Sequence, residues 1–284
     1  MSDKTFSVIT ITGGRNDHLR NLIRGIERSS RKPSELIVIY MNQVDELQVE
    51  STIVIHSYHI DSEILPLAKA RNEGALRAHS EHMIFLDVDC IPSSTMFEEL
   101  ITSDAIDNSL VMGTPRYLYK GSQLHTLNDS ILNNQSAAHK VRLNIQEGFS
   151  DDYTSFWSLC FGLTKTTFAA IGGFDPMFIG YGGEDTDFAL SAKNNNIPFY
   201  IHRALCYHQH HEIYKPPVQH VKDIVTNSNL FYSKWHTWPM IGWLREFTTL
   251  GYVRWEESST DPITIVHLPT GDEQQVFIDT HSAY

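Results

Sequence analysis

Two aspartates one residue apart, Asp87-Val88-Asp89, directly follow the apolar run Met83-Ile-Phe-Leu86. A buried strand ending there aims both carboxylates at one edge of a sheet. Hard cations such as Mg²⁺ and Mn²⁺ take one or two carboxylates there together with phosphate oxygens. A second acidic group, Glu184-Asp185-Thr186-Asp187, follows Tyr181-Gly182-Gly183. The helix dipole favours acids in a first turn, so capping is one reading of them. Three acids in four positions exceed that need, and two glycines let the backbone approach a ligand closely. One such carboxylate, partly desolvated near a metal, suits a general base for a hydroxyl proton. The third group is His208-Gln209-His210-His211, at the end of the strand-like run Tyr200–Tyr207. Imidazole suits Mn²⁺ or Zn²⁺ better than Ca²⁺, so a histidine joining Asp89 predicts a transition metal. The plain alternatives are a solvated turn, a helix cap and a chance cluster in a chain with 15 histidines.

These groups need a rigid scaffold, and the chain alternates strand and helix in a way that supplies one. Phe6–Thr12 is a β-branched run closed by Gly13-Gly14, and Asp17–Arg28 places Leu19, Leu22, Ile23 and Ile26 at helical spacing. Strands are expected at Glu35–Tyr40, Thr52–His56 and His82–Leu86, with a helix over residues 66–79. Such alternation predicts an α/β fold with a mostly parallel central sheet flanked by helices. Ligands of such sheets sit beyond the carboxyl ends of the strands, here Thr12–Asn16, Met41–Asn42 and Asp87–Asp89. Residues 104–150 read as short strand, helix and loop with no chemistry. A helix to about Lys193 and a strand over Ile197–Tyr207 follow the acidic segment. Residues 1–215 are expected to form the main domain and 216–284 a small helical and β extension packed on it. That extension opens at Pro216-Pro217, carries an apolar helical stretch with Trp235, Trp238, Trp243 and Leu244, and ends in a strand pair.

Lys and Arg total 22 against 34 Asp and Glu, a formal charge of −12, which argues against a polynucleotide partner. The excess acid leaves room for a nucleotide ligand, because a bound divalent cation neutralises a diphosphate locally. Cys90, Cys160 and Cys206 lack close metal spacing and read as buried apolar residues of a reducing compartment. With no leader-like start and no run of 18 apolar residues, a cytoplasmic protein without its own membrane span is expected. Association with a membrane surface and the oligomeric state stay open.

The three groups, in this order, resemble the GT-A glycosyltransferases, in particular the inverting family 2 bacterial enzymes and the β-1,4-galactosyltransferases. The resemblance covers residues 6–211 and is carried by FLDVDCIP at 85–92 and GGFDPMFIGYGGEDTDF at 172–188. It implies a Rossmann-like GT-A fold and transfer of a sugar from a nucleotide-sugar to a saccharide or glycoconjugate acceptor in polysaccharide synthesis. It further implies that Asp89 binds Mn²⁺ or Mg²⁺ with His208, or else His210 or His211, while Asp87 and Val88 lie along the nucleotide. Asp185 becomes the base and Glu184 its partner on sugar hydroxyls. Thr12, Arg15, Arg71, Asn72, Tyr181, Gly182 and Gly183 are the remaining donor-side positions. An acid often follows the second strand in relatives, where this chain has Met41-Asn42. The galactosyltransferases have tryptophan at the place of Tyr181 and an acid at that of Thr186. Retaining polypeptide N-acetylgalactosaminyltransferases typically continue their glycine–glycine–glutamate segment with asparagine, where this chain has Asp185, which favours inversion.

The aromatic rings of Tyr181, Trp157 and Trp238 could face sugar rings or pack in the core. Other readings are a non-catalytic nucleotide- or carbohydrate-binding protein of the same fold, a retaining N-acetylgalactosaminyltransferase-like enzyme, and a metal hydrolase built on His208, His210 and His211. A nucleotidyltransferase is disfavoured because no glycine-rich, lysine-bearing phosphate loop follows the first strand.

Overall fold

The computed structural model describes residues 4–280. In chain order the first elements are β1 (Phe6–Thr12), α1 (Asn16–Arg28), β2 (Glu35–Met41), β3 (Ile55–Ile60), α2 (Leu67–Arg77) and β4 (His82–Leu86). β5 (Cys90–Pro92), α3 (Met96–Thr102), β6 (Leu110–Leu118), α4 (Asp129–Asn134), β7 (Ser136–Ala138) and β8 (Gly148–Phe149) follow. Then come β9 (Cys160–Thr164), α5 (Lys165–Ile171), α6 (Glu184–Asn194) and β10 (Phe199–His208).

The central sheet has the order β3-β2-β1-β4-β9-β6-β10-β5, with β7 and β8 attached to β6 and β10. Its first four strands are parallel, and β6 runs parallel to β10, while β9 and β5 are antiparallel to their neighbours. The sheet is therefore mixed: Rossmann-like on one side, with antiparallel strands on the other. β1 and β2 are buried along their whole length, as strands covered on both faces must be. On one face α1 presents Leu19, Leu22, Ile23 and Ile26, joined by Met96, Phe97 and Leu100 of α3. On the other, α2 lies so close to β1 that a Cβ at Gly74 would stand 2.4 Å from a methyl of Ile9. Phe161, Phe174 and Phe188 extend this second core layer, with Phe174 and Phe188 stacked at 4.2 Å.

Three expectations are corrected. The third strand is Ile55–Ile60 rather than Thr52–His56, because this edge strand pairs in the register Leu36↔Ile55 and carries polar residues, His56, Ser57 and His59, that hide it. Within residues 104–150 lies β6, a nine-residue strand between β9 and β10. The surrounding segment is polar and rich in Asn and Ser, and glycine and proline, here Gly113 and Pro115, are uncommon inside strands. Gly113 is instead a packing requirement, since a Cβ there would stand 2.4 Å from the Cys160 sulfur. The C-terminal strand pair reduces to two-residue strands: β11 (Ile213–Tyr214) pairs with β14 (Ile278–Asp279), and β12 (Val253–Arg254) with β13 (Thr264–Ile265).

Residues 216–280 carry three helices, α7 (Val221–Trp235), α8 (Ile241–Thr249) and the short α9 (Gly271–Gln275), joined by irregular segments. Val221, Ile224, Leu244, Phe247 and Trp238 form its own apolar cluster, against which Tyr181 of the glycine segment packs. Trp238 lies between α7 and α8, buried, stacked on Tyr232 and donating its indole N–H to the Ser259 carbonyl. It is a core residue, and the expectation of a sugar-facing ring there is withdrawn. All three cysteines are buried and form no disulfide.

Candidate functional site

The turn after β4 brings Asp89 to the carboxyl edge of the sheet, and the end of β10 brings His208 beside it. β5, the short antiparallel strand after Asp89, joins the two: Cys90 pairs with His208, and the Gln209 N–H donates to the Asp89 carbonyl at 2.7 Å. Gln209 also ties this end to α1, accepting from Asn21 and donating to the His18 carbonyl. The Asp89 carboxylate is 8% exposed and faces His208 Nε2 at 3.4 Å and His211 Nε2 at 3.5 Å. The three ligand atoms lie within 4.8 Å of one another. Arg15, at the start of α1, forms an ion pair with the same carboxylate.

This arrangement favours a bound cation. Burial drives the His208 imidazole down to about 4, against the pull of Asp89, so it is neutral and ready to ligate at pH 7. Burial alone would raise Asp89, but His208, His211 and Arg15 outweigh it and hold the carboxyl well below its usual range. One ionised carboxylate with two imidazoles is a donor set suited to a divalent transition ion. Of the three histidines expected as alternatives, His208 and His211 converge on Asp89. His210 instead lines a cleft of about 200 Å³ with His18, Asn21, Tyr119 and Gln209.

The second constellation is centred on Arg71. Its guanidinium is 5% exposed and bridges Asp87 Oδ1 at 3.3 Å and Glu184 Oε1 at 3.2 Å. The two acidic motifs, about a hundred residues apart in sequence, are thus held by one cation from α2. Arg71, though it stands on a helix, is therefore a buried charge and not a surface one. Burial raises Asp87 to about 6, with Arg71 opposing and Asp89 adding to the rise. It raises Glu184 to about 7, with Asp185 adding to the rise and Arg71 opposing it. Asp185 is less enclosed, is raised by burial, and accepts from the Thr186 N–H at 2.7 Å. These are conditions in which a carboxylate can hold a proton near neutral pH.

The other expected positions differ in availability. Thr12 ends β1 with a buried hydroxyl that has no hydrogen-bond partner among the described residues. The Val88 side chain is packed in the core on the α1 side, which leaves only its backbone for a ligand. The Asn72 amide donates to the Phe174 carbonyl at 2.7 Å and accepts from the Phe174 N–H at 2.9 Å, so it holds the 172–174 turn. Trp157 has one ring face covered by the Arg142 guanidinium at 3.9 Å.

The glycine segment is held by the C-terminal helices. Gly182 and Gly183 have φ of 95° and 91°, which favour glycine, and a Cβ at Gly182 would stand 2.7 Å from the Met240 sulfur. Asn227 of α7 is fully buried, and its amide nitrogen donates to the carbonyls of Ile179, Tyr181 and Gly182 at 3.1, 3.4 and 2.8 Å. Two hydrogens are shared among three acceptors, which fixes the loop's path. Asp223 accepts from the Tyr181 N–H, and the Tyr181 ring stacks on His220 at 4.5 Å. Asp187, 1% exposed, is taken by Lys234 at 2.8 Å and the Trp235 indole at 2.7 Å. One of the three acids is therefore committed to docking α7, which leaves Glu184 and Asp185 at the sheet edge.

His18, Asn227 and Asp223 escaped the sequence reading. His18 stands edge-on to His211 at 6.1 Å, and its place in the first turns of the helix after Gly13-Gly14 was a usable signal. Asn227 and Asp223 lie in a helix with no motif, and their role appears only when α7 meets the loop.

With this geometry in place, the comparisons with known proteins converge. Residues 7–216 match the family model described as "Glycosyltransferase like family 2", and the chain belongs to that family. Its fold is similar to that of GalNAc-T7, whose crystal structure is described with UDP, GalNAc and Mn²⁺. The TM-score is 0.56 and the identity 12%, with 74% of this chain and 45% of that chain covered. It is also similar to the crystal structure of S. aureus TarS 1-349, with TM-score 0.54, 12% identity, and 81% and 64% of the two chains covered. The chain thus spans about half to two thirds of these structures. Among curated proteins no significant match was found. The fold is GT-A, and the protein is a glycosyltransferase-like member of its family whose sheet edge carries a candidate metal site. Among the described residues no helix is long and apolar enough to cross a membrane.

Proposed function

We propose that this chain is a metal-dependent, inverting glycosyltransferase that moves a hexose or N-acetylhexosamine from a uridine diphosphate sugar to an acceptor hydroxyl of a saccharide or glycoconjugate. The observation that carries the reading is the convergence of two motifs on Arg71. It sets the Asp87–Asp89 turn and the Glu184-Asp185 helix start side by side at the ligand edge of the sheet. Uridine diphosphate and Mn²⁺ are favoured because the similar GalNAc-T7 structure carries UDP and Mn²⁺. The imidazoles beside Asp89 also suit Mn²⁺ better than Ca²⁺.

In this reading Asp89, His208 and His211 hold the metal, and Arg15 lies beside the diphosphate. The bound ion supplies neutralisation of the departing nucleoside diphosphate. Asp185 takes the proton of the acceptor hydroxyl, whose oxygen forms the new bond to the anomeric carbon from the face opposite the leaving group. The bond from that carbon to the diphosphate oxygen breaks, and its electron pair leaves with the diphosphate. Glu184 orients sugar hydroxyls, and Arg71 keeps the two acidic segments in register, so that positioning contributes to rate along with proton transfer. Thr12 and the backbone around Val88, Gly182 and Gly183 line the donor. Residues 216–284 act as an extension of the same domain that shapes the acceptor side through Tyr181. The protein works in polysaccharide or glycoconjugate synthesis on the cytoplasmic side.

The test is a transfer assay with UDP-sugars and GDP-sugars, Mn²⁺ and a panel of saccharide acceptors, with the anomeric configuration of any product read by NMR. An inverted product from a UDP-sugar supports the proposal. A retained configuration, or hydrolysis with no acceptor dependence, sinks it.

A further inference from the structure

At the opposite end of the sheet, below the amino ends of the parallel strands, a second group of metal-binding side chains comes together. Glu35 opens β2, His56 is the second residue of the edge strand β3, and His79 lies just past the end of α2. Glu35 is 5% exposed on its side chain. Its Oε2 faces His79 Nδ1 at 2.7 Å and His56 Nε2 at 3.4 Å. The other oxygen, Oε1, accepts from the Ser7 hydroxyl at 2.5 Å and the His79 N–H at 2.7 Å. Ser7 in turn accepts from the Ser80 N–H at 3.1 Å. One carboxylate oxygen is thus fixed by an outer ring of hydrogen bonds, while the other is left to two imidazole nitrogens. Metal-binding carboxylates are oriented in this way.

Two further observations point to a cation. Among the described residues, the ion pairs of Glu35 are with these two imidazoles and with no lysine or arginine. A buried carboxylate is tolerated when it is paired and hydrogen-bonded, and here the pairing comes from imidazoles that a metal ion could recruit. The group also sits at the carboxyl end of α2, an end that favours positive charge and where Lys165 already donates to the Ala78 carbonyl. Ligands about 2.0–2.1 Å from a tetrahedral zinc stand roughly 3.3 Å apart. His56 Nε2 stands 3.4 Å from Glu35 Oε2, close to that value, and His79 Nδ1 is at hydrogen-bond distance, 2.7 Å, from the same oxygen, with all three ligand atoms within 4.8 Å of one another.

We propose that Glu35, His56 and His79 form a second divalent-metal site, selective for Zn²⁺ or Co²⁺ over Mg²⁺, separate from the Asp89 site and independent of sugar transfer. Two imidazoles and one carboxylate form a borderline-soft donor set. The fourth position opens to solvent past His79, which is 73% exposed. A bound ion pins the end of α2 and the edge strand β3 to β2, so the site acts as a staple on the sheet's open edge.

The experiment titrates the chelator-stripped full chain with Zn²⁺ by calorimetry and with Co²⁺ by visible absorption. It compares wild type, His56→Ala/His79→Ala and Asp89→Ala. Both histidines are solvent-accessible, so their replacement is compatible with folding, which circular dichroism checks. The expected result is two bound ions per chain for wild type and one for each variant. Zn²⁺ should raise the thermal midpoint of Asp89→Ala but not of the triple variant Asp89→Ala/His56→Ala/His79→Ala. Unchanged stoichiometry in His56→Ala/His79→Ala, or no bound Zn²⁺ in Asp89→Ala, overturns the proposal. Failure of sugar transfer leaves this readout untouched, so the two claims fall separately.

Discussion

Asp89 and Glu184 are buried carboxylates at the same edge of one sheet, yet their surroundings send them in opposite directions. Two imidazoles and a guanidinium keep Asp89 ionised, whereas Glu184 shares one guanidinium with Asp87 and has Asp185 beside it, so burial raises it to about 7. The first environment is poised to hold a cation and the second to hold or release a proton. Environment rather than residue type separates the two roles, as it does wherever one fold runs both electrostatic and acid–base chemistry.

The largest effect is expected from Asp185→Asn, which removes the proposed base but keeps its size. The kcat should fall by about 10²–10⁴-fold with nucleotide affinity little changed, read by steady-state kinetics beside calorimetry. A variant that retains most of its kcat would move the base elsewhere. Next is Arg71→Met, which leaves the buried Glu184 and the part-buried Asp87 without their shared cation. Denaturant unfolding at pH 8 should show a loss of roughly 3–5 kcal/mol, smaller at pH 5, where both acids can protonate.

Glu184→Gln sharpens the contrast through pH. Below its unfolded value of 4.5 the glutamate is protonated in both states, and its contribution to stability is fully present. As pH rises toward about 7 the folded protein holds a proton that the unfolded chain releases, so that contribution is lost. The variant lacks this dependence. Its stability relative to wild type should therefore improve by about 1–3 kcal/mol between pH 4.5 and 7.5, measured by urea unfolding of metal-free protein. A constant gap would place the titration elsewhere. The smallest effect is that of Asn227→Ala, expected to raise donor or acceptor KM by about tenfold with a smaller change in kcat, because the 179–182 carbonyls lose their common donor.

The sequence showed much of this site because its chemistry lies in short motifs that end strands. Asp89 follows β4, His208 closes β10 and Glu184 opens α6, so a strand or helix boundary was enough to aim each at the sheet edge. The same logic found β1, α1 and β2 from apolar spacing alone. It fell short at β6, which lies in a polar segment rich in Asn and Ser and carries Gly113, where a glycine serves the close approach of Cys160. It placed Arg71 on the donor side only through the family resemblance, and the ion pairs that set it between Asp87 and Glu184 appear only in the folded chain. The hold of α7 on the glycine loop was equally hidden, because a single asparagine in a helix carries no local signal for the carbonyls it will meet. Local pattern thus reports where an element ends, while long-range polar contacts are set by packing.

The central claim is that the sheet edge binds a nucleotide through a metal held by Asp89. Calorimetric titration with UDP and GDP, each with Mn²⁺ and with chelator, on wild type and Asp89→Ala tests it most directly. The account predicts that UDP binds wild type with Mn²⁺, that chelator abolishes the binding, and that Asp89→Ala loses it. Binding that survives chelator or the substitution, or no nucleotide binding with any metal, would contradict it.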